Sequence, residues 1–153
     1  MTKTETKNPQ DIPYNALYLE PNMDLHRLVF VKMAENKQYS FCSLVDSYMR
    51  TSEIRKKQDV GNWSALNKGY KQLLGSIDLS CCKTKDEHEF VDDIMAHWIA
   101  DIYVLFQWLY NIPSATISEK VPAKEMMRIY NPLHEASEKA ACEKIYDIYF
   151  KEP

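Results

Sequence analysis

Apolar residues recur at intervals of three and four along most of this chain, the spacing of one face of a helix. Leu25, Leu28, Val29, Lys32 and Met33, widened by Phe30 and Val31, predict a first helix over Met23–Lys37, which Asn22 or Asp24 can cap. Leu44, Val45 and Tyr48 predict a second over Ser40–Met49. Residues 50–77 break the pattern; they read as a loop carrying Trp63, then a short helix near Gly69–Leu74. Thr84 with Glu87 three residues on matches a capping box, so a long helix is expected from Lys85 to Tyr110, stopped by Asn111 and Pro113. Trp98, Ile102, Leu105 and Leu109 should be buried on it. "VPAKEMMRIYNP" predicts a short helix with Pro122 in its first turn. A final helix is expected over Leu133–Tyr149, with Ala136, Ala140, Ala141, Ile145, Ile148 and Tyr149 inward.

The expected fold is all-α: a single-domain bundle of about five to six helices around a central apolar helix, residues 85–110. Pro9, Pro13 and Pro21 set residues 1–21 apart as a polar tail, whose "YNALYL" docks on the helical domain of residues 22–153. A length of 153 residues suits one domain with a real core. The three glycines, Gly61, Gly69 and Gly75, are too few for a turn-rich β protein and form no phosphate-binding loop. No cofactor is therefore expected. The start, "MTKTETKNPQDIPYN", has no apolar run and is not read as a signal peptide. Cys42, Cys81, Cys82 and Cys142 form no C-x-x-C pair, which points to reduced thiols in a cytoplasmic protein.

The central stretch "HWIADIYVLFQWLYN" is too short to span a membrane, so no membrane association is expected. It carries Asp101 among inward-facing residues. A buried carboxylate needs a donor, here a tyrosine, a backbone N–H, or one of Arg27, Arg50, Arg55 and Arg128. Glu89, Asp93, His97 and Asp101 follow at steps of four, but no second helix offers a matching set, so no metal is expected.

Charge is unevenly spread. From Arg50 to Lys71 six basic residues face two acids; from Asp86 to Asp101 six acids meet no Lys or Arg. The basic segment interleaves with aromatics, and Arg50, Arg55, Lys56, Lys57, Trp63, Lys68, Tyr70 and Lys71 form a candidate surface for an acidic protein or, less favoured, nucleic acid.

Arg128 and His134, in "RIYNPLH", resemble the R-x4–6-H motif of HEPN ribonucleases, although Pro132 between them departs from the usual helical placement. The resemblance implies Arg and His acting on an RNA backbone. A broader resemblance rests on "DLHRLVFVKMAE", "LVDSYMRTSEIRKKQDVGN" and "HWIADIYVLFQWLYNIPSATISEKVPAKEMMRIYNPLHEAS". These segments resemble small bacterial helical proteins encoded beside ADP-ribosyltransferase-like toxin genes. That likeness implies a non-enzymatic interaction protein, antitoxin-like or defence-associated, that binds a toxin-like protein.

Overall fold

The computed structural model describes residues 12–151, so the expectations for the tail before Ile12 lie outside the described residues. Among these residues the protein is all-α, with nine α-helices. They are α1 (Leu19–Glu35), α2 (Phe41–Thr51), α3 (Glu53–Asp59), α4 (Trp63–Leu66), α5 (Tyr70–Gly75), α6 (Asp93–Tyr110), α7 (Ser114–Lys120), α8 (Ala123–Leu133) and α9 (Glu138–Ile145). The count exceeds the expected five to six because the short helices α3, α4 and α7 form where no helix was expected.

The first helix begins before Pro21 rather than after it. Pro21 is its third residue, where an N–H has no intrahelical acceptor anyway. Asn22 is consequently buried inside α1, and the buried face holds Met23, His26, Val29, Phe30 and Met33 while Leu28 turns outward. Ser40 caps α2 through the Ser43 N–H, and Leu44, Val45 and Tyr48 point inward as expected.

Glu53–Asp59 and Trp63–Leu66 are helical where a loop was expected, and the short helix expected near Gly69–Leu74 forms as α5. Ser52 accepts from the Arg55 N–H, Asn62 accepts from the Ala65 N–H, and Gln72 accepts from the Gly69 N–H, so each short helix starts at its own cap. Hydrophobic periodicity missed α3 because its buried face is polar: Arg55, Gln58 and Asp59. Gly61 joins α3 to α4 at φ 79°. A Cβ there would sit 2.2 Å from the Pro13 carbonyl oxygen, so this turn rests directly on the incoming chain.

The expected capping box at Thr84 does not form. Residues 83–85 instead run against 38–40: the Ser40 N–H donates to Lys83 O and the Lys85 N–H to Gln38 O, both at 2.9 Å. Helix α6 starts eight residues later than expected, capped by Asp92 through the Met95 N–H. It ends at Asn111, whose φ of 51° is left-handed, with Pro113 following.

Ten of the 18 residues of α6 are buried, and α1, α7, α8 and α9 all pack on it. Trp98 and Ile102 are buried; Leu105 and Leu109 are half-buried rather than enclosed. Trp108 donates to Tyr14 O ahead of α1, while Arg27 reaches Asp101, so α1 and α6 run antiparallel. Phe30 of α1 centres an aromatic cluster, edge-on to Phe41, Tyr48 and Tyr103 with ring centroids 6.2–6.4 Å apart.

The expected last helix is two pieces. Leu133 ends α8, and Ser137 caps α9 through the Ala140 N–H. The inner face is Ala141, Cys142 and Ile145; Ala136, Ala140 and Ile148 face outward. A π-helical turn, Tyr146–Phe150, resets the phase so that Tyr146 stacks on Tyr110 at 4.5 Å and Phe150 meets Phe106 at 4.9 Å. Among the described residues no helix is long and apolar enough to cross a membrane.

Candidate functional site

The basic segment forms a clamped helical arm, α3 to α5. Arg55, fully buried, donates from Nε to Ser114 Oγ (2.9 Å) and from Nη1 to Gln58 Oε1 (3.0 Å), 3.7 Å from Asp59. Asp59 accepts both the Ser114 N–H and its hydroxyl at 2.7 Å, and its backbone carbonyl accepts from Gln107 of α6. The arm is therefore tied to α7 and α6 by hydrogen-bonded charge, which is tolerated in the interior only because it is paired. His26 lies in the same polar interior, between Asn22 O (2.8 Å) and the Tyr48 hydroxyl (2.7 Å). Burial, and then the Arg55 charge, hold its pKa down to about 3.

This placement corrects the expected surface. Arg55 is a core residue and cannot meet a partner. Arg50 turns sideways onto Ser118, through Nε to Oγ (2.9 Å) and Nη2 to the carbonyl (3.0 Å). Lys56 pairs with Glu53 at 3.4 Å. Lys57 and Lys71 are exposed, and Lys68 and Tyr70 half-buried. The prominent side chains are apolar: Trp63 is 67% exposed and Val60, which the sequence reading passed over, 76%. Lysines around an exposed Trp–Val pair make a surface with both steering charge and apolar area.

Asp101 is buried and its donor is Arg27, Nε to Oδ1 at 2.6 Å. The same guanidinium bonds Asp24 (2.5 Å) and Glu20 (3.3 Å). Burial first, and then the Asp101 carboxyl, push the pKa of Glu138, at the start of α9, up to about 8.

Arg128 and His134 are not brought together. Exposed Arg128 binds Glu125 twice, Nε to Oε1 at 3.0 Å and Nη2 to Oε2 at 2.5 Å, with the Tyr149 hydroxyl on the same carboxylate. Arg128, followed by Tyr149, draws the Glu125 pKa down to about 2. His134 bonds back to Tyr130 O at 2.9 Å and stacks on the Tyr130 ring at 4.3 Å. Six residues of helix point the two side chains roughly 120° apart.

An open cleft of about 630 Å³ lies where α2, α8 and the 83–89 loop meet. Glu89, expected on the central helix, here accepts the Phe41 (2.8 Å) and Cys42 (3.2 Å) N–H groups and so covers the positive end of α2. Cys42 lines the cleft, but burial, then the Glu89 charge, push its thiol up to about 12, which suppresses thiolate chemistry. Asp46 is occupied by the Ala123 N–H (2.9 Å) and Ser118 Oγ (3.1 Å). The cleft mixes polar side chains with apolar surface, and its thiol is not activated.

Comparison with protein-family models, curated proteins and solved structures finds no match to this chain.

Proposed function

We propose that this protein acts by binding another protein, without catalysing a reaction, through the arm that carries Val60 and Trp63. The supporting observation is that pair's exposure on a segment whose base is clamped by buried Arg55 and Asp59. A rigid support lowers the ordering cost of association, and tryptophan at the centre of a patch is a typical binding hot spot. Lys57, Lys68 and Lys71 around it favour an acidic partner. The resemblance to small bacterial proteins encoded beside toxin genes supplies the partner's class: a toxin-like protein in the cytoplasm, held in an antitoxin-like or defence-associated complex.

The test is co-expression with the product of the toxin-like gene that the resemblance implies lies beside this one, followed by titration calorimetry. A complex is expected, and Trp63→Ala should weaken it by about 2 kcal/mol or more while leaving the melting temperature unchanged. No complex, or a complex indifferent to Trp63→Ala, overturns the reading. RNA cleavage that disappears in folded Arg128→Ala or His134→Ala protein would replace it with a ribonuclease. Salt-dependent capture of nucleic acid by the lysines, with no protein complex, would replace it with a nucleic-acid binder.

A further inference from the structure

Among the described residues, Leu17 with Tyr18, Val60 with Trp63, and Phe90 with Ile94 are exposed apolar neighbours in sequence, and the last two pairs sit at opposite ends of α6. Phe90 (73% exposed) and Ile94 (69%) flank its start. Val60 and Trp63 follow Asp59, which Gln107 holds near the end of α6, and Gly61 between them rests on Pro13, beside the Tyr14 carbonyl that takes the Trp108 N–H. From Ile94 to Gln107 is roughly 20 Å of helix.

The two ends carry opposite charge. Residues 53–71 hold five basic residues against two acids, net +3; residues 83–93 hold five acids against two lysines, net −3. Internal bonds leave this balance intact. Arg55 and Asp59 neutralise each other inside. Glu89 is spent on α2, and Lys85 on the Ala34 (3.0 Å) and Asn36 (2.8 Å) carbonyls. What remains at least partly exposed is Lys56, Lys57, Lys68 and Lys71 with Glu53 in the first segment, and Asp86, Glu87, Asp92 and Asp93 with Lys83 in the second.

We propose that the chain associates with a second copy of itself head to tail: the Phe90–Ile94 end of one molecule seats on the Val60–Trp63 end of the next. Each end supplies an apolar pair, and the two segments differ in the sign of their charge. The two surfaces differ, so the contact is heterologous, and a pair still exposes one free end of each kind. Association therefore continues past the dimer unless a ring closes. This contact uses the same Val60–Trp63 end as the toxin-like partner, so the two compete for it; a strictly monomeric wild type overturns self-association and leaves partner binding untouched, while failure to bind a partner leaves self-association untouched.

Sedimentation velocity of the full chain over a wide concentration range at low salt provides the test. The wild-type mass should rise above the 18.0 kDa of one chain and fall back as salt is added. Lys57→Glu with Lys71→Glu, and separately Glu87→Lys with Asp93→Lys, should each weaken association by more than about tenfold. Mixing these two variants should restore complexes, because one keeps the native acidic end and the other the native basic end. Circular dichroism checks that both remain folded. If Asp93→Lys disturbs the first turn of α6, Phe90→Ser, which lies outside every helix, should give the same loss. A monomer at every concentration overturns the proposal, as does association that neither reversal weakens, or variants that stay monomeric when mixed.

Discussion

Arg27 serves three carboxylates at once, and only one of them is buried. Its bond to Asp101 is short and shielded, whereas Asp24 and Glu20 lie in solvent. The Asp101 contact therefore carries most of the energy, since exposed ion pairs contribute little. Arg27→Ala should lower unfolding free energy by roughly 2–4 kcal/mol, just below the range for a fully buried pair, because Arg27 itself is partly exposed. Arg128→Ala, which frees only a surface carboxylate, should leave the urea midpoint at the wild-type value; equal losses in both variants would refute the assignment. That Asp101 required a donor could be read from its apolar helix. Which of four arginines would serve could not, because the partner lies 74 residues away and periodicity carries no information about pairing between helices.

Helix boundaries failed where buried faces are polar or where a cap serves another helix. The buried side of α3 reads as charge, so it resembled a loop. Glu89 belongs electrostatically to a helix, as its place in an acidic run suggested, but to α2 rather than α6. The final helix was legible in outline, but its phase was not, because the π-helical turn rotates everything after Ile145. Its start is also where pH acts. Glu138 has a pKa of about 8 in the fold against an ordinary 4.5, so the folded state retains a proton that the unfolded chain loses. That contribution to stability is complete below pH 4.5 and is lost as pH rises towards 8. His26 acts oppositely, since its pKa of about 3 against an ordinary 6.5 makes stability rise with pH between those values. Above pH 6.5 only the Glu138 slope remains of the two. The melting temperature should fall between pH 6.5 and 8 in the wild type and stay flatter in Glu138→Gln; parallel curves would exclude a raised Glu138 pKa.

Across the whole molecule, the basic and acidic runs were visible in sequence. What the sequence hid is how many charges the fold consumes: Arg50, Arg55 and Glu89 all turn inward or sideways. It hid Val60 as well, since an isolated valine in a polar stretch gives no periodic signal. The Asp59–Ser114 pairing also has a consequence in time rather than in space. The Ser114 amide gives its proton to Asp59, so it can exchange with solvent only when the arm lifts away from α7. Amides of α3 and the Ser114 amide should then exchange deuterium at a common rate under native conditions, slower than those of the 83–92 loop. Asp59→Asn should speed the whole group together, which would make a single amide a clock for how often this surface lets go.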